Sequence, residues 1–114
     1  FFSEPHATMA RMGKNPVVLD TKKLDWQMGV IAFREKEMRR PERHQQLDLF
    51  VKAYNAACDS INEKGLRHYR DLIVKRCGVD EQVVDSLPKN IIFRHAIGPR
   101  QQDIERAQNW LNKK

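Results

Sequence analysis

Long apolar runs are missing from this 114-residue chain. None approaches the ~20 residues that a membrane-spanning helix needs. Cysteine is scarce: only Cys58 and Cys77 occur, and their separation matches no zinc-ligand spacing. If both sit on a helical hairpin that turns at Gly65, the residue opposite Cys58 falls near Leu72. A bridge to Cys77 would then cross an offset of about five residues, ~7 Å along a helix, beyond comfortable disulfide geometry. Both are read as buried free thiols. The five glycines are scattered over turns and helix ends and build no phosphate-cradling loop. The histidines, His6, His44, His68 and His95, stand at no motif spacing from a nucleophile. No repeat and no low-complexity stretch occurs. No secretion signal is visible, and a chain that opens on Phe1 rather than Met says nothing about compartment.

What is present fits a globular chain. Hydrophobic residues make up 40% and charged residues 32%, which excludes the composition of a disordered tail. The net charge is +6, from 21 basic and 15 acidic residues. The two signs are interspersed, as in Arg34-Glu35-Lys36-Glu37 and Asp103-Ile104-Glu105-Arg106. Even the densest basic site, Arg39-Arg40 with Arg43, reads as a solvated face, and no nucleic-acid partner is expected.

Periodicity orders the chain. Residues 6–12 form a short helix stopped by Gly13. Val17-Val18-Leu19 reads as a short strand. Leu24, Trp26 and Met28 stand in a polar, irregular stretch. Gly29-Val30-Ile31-Ala32-Phe33 is almost continuously apolar, as in a strand buried on both faces of a parallel sheet. A brief helix over 35–40 follows and stops at Pro41. Pro41, with Glu42 in the first turn, then opens the longest helix, to about Lys64. Leu47, Phe50, Val51, Tyr54, Ala57, Cys58 and Ile61 form its apolar stripe, expected to be buried.

Beyond Gly65, Leu66, Tyr69, Leu72, Ile73 and Cys77 mark the next helix, closed by Gly78. Asp80 is placed to cap a third, with Val79 and Val84 as a hydrophobic staple. Ile91-Ile92-Phe93 reads as an edge strand. Gly98-Pro99 opens a last helix with Ile104, Ala107, Trp110 and Leu111 as its buried stripe. Three short strands make no independent sheet, so the expectation is a piece of a larger α/β protein.

One constellation invites chemistry. Phe1-Phe2 reads as the end of a strand, Glu4-Pro5 as a rigid corner, and a helix follows at once. Ligands of open α/β sheets bind at the carboxyl ends of strands. Glu4 is therefore a candidate ligand contact, with the alternative that it is only an acid favoured by the helix dipole. His44 and His68 read as solvated, and His95 as a loop residue. No catalytic set and no metal site are expected.

The order of these motifs resembles the C-terminal part of a periplasmic solute-binding protein of an ABC importer, of the nitrate/sulfonate/taurine and thiamine-precursor type. Four stretches carry it: Ser3-Glu4-Pro5-His6-Ala7-Thr8; Gly29 through Lys36; Arg40-Pro41-Glu42 through Phe50-Val51-Lys52-Ala53-Tyr54-Asn55-Ala56-Ala57; and Gly98-Pro99-Arg100-Gln101-Gln102-Asp103-Ile104. The resemblance implies a two-lobed α/β fold of the periplasmic-binding-protein type II, with an incomplete sheet in this piece. Residues 1–20 would be the end of the second lobe and the crossing segment, and residues 21–114 the C-terminal part of the first lobe. Its ligand-contacting acid maps to Glu4, with Ser3 and His6 beside it. It further implies a non-enzymatic capture protein without cofactor, periplasmic or anchored at the cell surface as a lipoprotein. The ligand would be a small solute, amine- or pyrimidine-containing or a small sulfonate, and the partner an ABC permease. The isolated piece is expected to self-associate. Two alternatives remain: a biosynthetic enzyme of the same fold, for pyrimidine or thiamine-precursor synthesis, and a helical protein-interaction domain.

Overall fold

The computed structural model describes residues 2–21 and 29–113. The expected apolar anchors Leu24, Trp26 and Met28 lie outside the described residues. Among the described residues six helices follow in order: α1 (His6–Met12), α2 (Glu35–Met38), α3 (Pro41–Lys64), α4 (Arg70–Cys77), α5 (Glu81–Asp85) and α6 (Gln101–Asn112), with a 3-10 turn at Leu66–Tyr69 before α4. Helix starts and stops fall where the local chemistry puts them. Gly13 follows α1, Pro41 is the first residue of α3, and α6 begins just after Pro99. Gly78 ends α4 with φ 64°, the left-handed conformation that an L side chain disfavours.

The chain divides into two compact units. One comprises Phe1–Val18 and Lys52–His95. Its core is small: Val79, Val83 and Val84 are buried, with Ile73, Val74 and Leu87 packed against them. Asp80 takes the N-cap position of α5 with extended backbone, though its side chain makes no capping bond. Val79 precedes that cap and Val84 lies at the fourth helical position, so the two make the expected staple. Charged groups lock the rim. Arg70 reaches Glu81 at 3.0 Å and Asp85 at 2.8 Å, and Arg67 donates to the Asp85 carbonyl at 2.9 Å. The Ser60 and Tyr69 hydroxyls hydrogen-bond to each other.

In the same unit, one turn of α3 holds the extended segment after α5. The Asn62 amide pairs with both backbone groups of Phe93. It donates to the carbonyl at 2.7 Å and accepts from the N–H at 2.9 Å. The buried Cys58 thiol donates to the Arg94 carbonyl at 3.5 Å. His95 Nε2 meets Asp59 Oδ1 at 2.6 Å.

The other unit comprises Leu19–Val51 and Ala96–Lys114. None of its described residues is buried. The Arg34 carbonyl accepts from the Glu37 and Met38 N–H groups and so starts α2. Phe33 and Phe50 meet edge to face, with centroids 6.1 Å apart. Together with Met38 and Leu47 they line a shallow groove rimmed by Arg34 and Arg43. The basic cluster is locally neutralised: Arg39 pairs with Glu35, and Arg40 and Arg43 each reach Glu37 at 3.5 Å. In α6, Arg100 and Arg106 hold the Asp103 carboxylate at 2.6 and 2.9 Å.

Several expectations need correction. The fold is helix-rich, but no strand occurs among the described residues. Val17–Leu19, Gly29–Phe33 and Ile91–Phe93 carry no ladder. A strand exists only with a neighbour that takes up its N–H and C=O groups. For Phe93, helix side chains fill that role instead. The α3 stripe is not a buried core: Phe50 is 46% exposed and Tyr54 37%, and of the stripe only Cys58 is buried. The stripe has the right period but, among the described residues, no apolar layer covers it. The same holds for α6, where Ile104, Ala107, Trp110 and Leu111 are exposed. Cys77 is exposed, not buried: it is the last residue of α4, where the helix ends at Gly78, beyond the Ile73 and Val74 turn that packs on the valine cluster. His44 and His68 are exposed as expected.

Candidate functional site

The corner before α1 is the most organised polar cluster in the N-terminal stretch. The Glu4–Pro5 peptide is cis, and α1 follows at His6. The Ser3 carbonyl accepts from the Ala7 N–H at 2.9 Å, so the chain already coils before the first helical residue. Glu4 therefore lies beside the free N–H groups of the first turn.

Its carboxylate is held from two sides. Oε2 accepts from the Thr8 backbone N–H at 3.1 Å and from the Thr8 hydroxyl at 2.7 Å. Oε1 accepts from an Arg11 terminal nitrogen at 2.8 Å. The same Arg11 nitrogen lies 2.6 Å from the Thr8 hydroxyl oxygen, closing a ring of three side chains. Thr8 is only 1% exposed, while the Glu4 side chain stays 30% exposed. Burial pushes the Glu4 carboxyl up, but the Thr8 hydroxyl, the Arg11 guanidinium and the Thr8 N–H together outweigh it. The net effect holds Glu4 below the ordinary carboxyl value. It is an anion at neutral pH, fixed in one orientation.

A carboxylate offers about four lone-pair directions. Three hydrogen bonds are made here. The free direction is on Oε1, beside solvent. The geometry suits one further donor, an ammonium or a ring N–H, through a charge-assisted bond. It does not suit an anion.

Of the expected site residues, Glu4 lies in this network. Ser3 and His6 are exposed beside it, and their side chains take no part in it. Thr8 and Arg11 were not singled out from the sequence. Their spacing from Glu4, four and seven residues along a helical face, was the available signal. His95, read as a loop residue, is paired to Asp59. Asp59 and Asn62 carried no local signal, because their partners lie more than thirty residues on. No group of three metal-ligating side chains occurs among the described residues. No helix among them is long and apolar enough to cross a membrane.

Compared with known proteins, the chain matches no protein family, no curated sequence and no solved structure.

Proposed function

We propose that these residues belong to the substrate-binding component of an ABC-type importer, with a fold of the periplasmic-binding-protein type II. It captures a small polar solute between two lobes and delivers it to a membrane permease. The observation that carries the reading is the anchored Glu4 carboxylate. It is ionised, oriented by Thr8 and Arg11, and still open to one donor. Capture needs no more than this kind of preorganised polar contact, followed by closure of a hinge that shifts open and closed populations. The helix starts after Glu4-Pro5, at Pro41 and after Gly98-Pro99 agree with the order of the resembling motifs. The exposed Gly29–Phe33 segment, which forms neither helix nor ladder among the described residues, agrees with a return strand that has its neighbours elsewhere.

The carboxylate selects within the solute classes. An amine or an aminopyrimidine supplies the donor that Glu4 lacks, whereas a sulfonate meets a like charge.

The test uses the complete gene product and calorimetric titration with 4-aminopyrimidine, a primary amine and taurine. Binding of a donor ligand, weakened at least tenfold (about 1.4 kcal/mol) by Glu4→Gln, supports the reading. Unchanged affinity in Glu4→Gln removes Glu4 from the site. Turnover of the bound compound would favour the biosynthetic alternative.

A further inference from the structure

The two donors that suit Glu4, an ammonium and an uncharged N–H, differ in charge, and Arg11 bears on that difference. Its Nη2 bonds Oε1 at 2.8 Å, the same oxygen that keeps a free direction. That nitrogen carries two hydrogens, and the second goes to the Thr8 hydroxyl at 2.6 Å. Thr8 is 1% exposed, so the guanidinium is tied to a buried group as well as to the carboxylate. It cannot swing aside without giving up both bonds. A donor arriving at Oε1 stands about 2.9 Å from the oxygen and on the order of 5 Å from the Arg11 nitrogen.

We propose that Arg11 sets the specificity of this site: it makes Glu4 an acceptor for an uncharged N–H, as in an amide or a heteroaryl amine, in preference to an ammonium. The inference rests on the reading of Glu4 as the solute contact and narrows it. The Glu4 charge is already matched by the Arg11 charge across one hydrogen bond. For an arriving ammonium, the guanidinium's repulsion offsets a large part of the carboxylate's attraction. An ammonium also gives up strong hydration on binding, a cost that a lone carboxylate would repay better than a paired one. An uncharged N–H leaves less hydration behind and carries no charge for the guanidinium to repel. It still bonds to an ionised acceptor. The Glu4 and Arg11 side chains are 30% and 40% exposed, so water and salt screen part of the effect. The discrimination is therefore on the order of tenfold, not thousandfold.

The Arg39–Glu35 pair of α2 shows what the third side chain adds. There both partners are largely exposed, at 76% and 80%, and among the described residues no buried group ties the guanidinium. Such a pair opens and closes with solvent and fixes nothing beside it. At Glu4 the buried Thr8 hydroxyl closes the ring, so the cation is a standing part of the site that any ligand has to meet.

Calorimetric titration of the complete gene product at neutral pH tests it with matched probes: benzamide against benzylamine, and 4-aminopyrimidine against 4-(aminomethyl)pyrimidine. In each pair the ring is kept and the donor changes from uncharged to ammonium. The uncharged member should bind about tenfold more tightly. Arg11→Met removes the charge and keeps an unbranched side chain. It should narrow the preference about fivefold or more, mainly by tightening the amine. Arg11→Lys keeps the charge and should keep the preference. Raising salt should narrow the preference in the parent protein and leave it unmoved in Arg11→Met. Arg11 lies in the last turn of α1 and is partly exposed, so circular dichroism should show the fold retained. If Arg11→Met does not fold, Arg11→Lys and the salt series on the parent protein decide the matter. An amine that binds the parent protein as tightly as its uncharged partner overturns the inference. So does a preference that neither Arg11→Met nor salt changes, even where Glu4→Gln weakens binding and the reading of Glu4 stands. Probes that do not bind, or that bind Glu4→Gln as well as the parent protein, overturn that reading and this inference with it.

Discussion

Ile91-Ile92-Phe93 and Val30-Ile31-Ala32-Phe33 are apolar runs of nearly the same character, and both read as strands. In the first, a helix does the work of a neighbouring strand. The Asn62 amide presents a donor and an acceptor at the spacing of a peptide group, and Phe93 bonds to both. Cys58 and Asp59 continue the contact to Arg94 and His95. In the second, no side chain among the described residues offers a peptide-like pair, and the backbone makes no hydrogen bond among them. An apolar extended run therefore specifies a need for hydrogen-bonding partners, not the kind of partner. Helix polar residues, a ladder strand or a second copy each meet it.

The same contrast extends to packing. The unit that holds Ile91–His95 has a valine core, whereas the unit that holds Val30–Phe33 has no buried residue among those described. The largest effect should expose this difference. Val84 is 1% exposed, and Val84→Ala removes two carbons from a packed site, at a cost of about 2–3 kcal/mol from transfer and cavity terms. Phe50→Ala removes six carbons but from a residue that is 46% exposed. It should cost only about 1–2 kcal/mol, well below the ~3–5 of a buried phenylalanine. Chemical denaturation of both variants decides it. A larger loss at Phe50 than at Val84 would mean that the α3 stripe is covered in solution.

Next in size is the Asn62 tie. Asn62→Ala should cost about 1 kcal/mol, the net worth of exposed hydrogen bonds. It should also speed exchange of the Phe93 amide. Asn62→Asp separates the two bonds: it keeps an acceptor for the Phe93 N–H and sets an oxygen against the carbonyl. The amide should stay protected in that variant while stability still falls. Equal exchange in Asn62→Ala and the parent chain would erase the distinction between the two segments.

Much of the helical layout was legible because its signals are local. Gly13, Pro41, Gly65, Gly78 and Asp80 act on neighbouring dihedrals or on the first and last turns, and the ends of α1, α3 and α4 and the starts of α3 and α5 fall at them. The Val79–Val84 staple was legible for the same reason. The strands were misread because a ladder is a property of two segments, and period and composition report only one. The stripes of α3 and α6 were found with the right period, but period says which face is apolar, not whether anything covers it. At the site, Glu4 was visible from its corner with Pro5. Its partners Thr8 and Arg11 follow from helical spacing once α1 is placed. The Asn62–Phe93 tie had no sequence signal at all.

Glu4 offers a smaller and pH-dependent effect. Its carboxyl is held below 4.5 in the folded chain. A group with a lowered folded pKa stabilises the fold above its unfolded pKa. That contribution fades as pH falls from 4.5 through the lower folded value. Glu4→Gln should thus lower stability by about 0.5–1 kcal/mol at pH 7 and flatten the pH dependence in that acid window. Denaturation curves at pH 7 and across the acid limb, for both proteins, provide the check. Identical pH profiles would show that the Thr8 and Arg11 contacts do not favour the ionised form.

The smallest effect should be the Asp59–His95 pair, although its separation is among the shortest in the molecule at 2.6 Å. Distance alone would rank it above the Asn62 bonds. Exposure reverses that ranking: the His95 side chain is 51% exposed and that of Asp59 66%. Water competes for both groups, mobile ions screen them, and ordering two side chains costs entropy. Asn62, by contrast, pairs with backbone whose next residue, Arg94, is also held by the Cys58 thiol. A double-mutant cycle with Asp59→Asn and His95→Gln should give a coupling of about 0.2–1 kcal/mol, shrinking in high salt. The Phe93 amide should keep its protection in the double variant, because the tie that sets the segment's register is untouched. A coupling above about 2 kcal/mol, or loss of protection at Phe93, would move the anchor of the segment from the Asn62 amide to the ion pair. The two extended segments would then differ by one charge contact, not by the availability of a peptide-like partner.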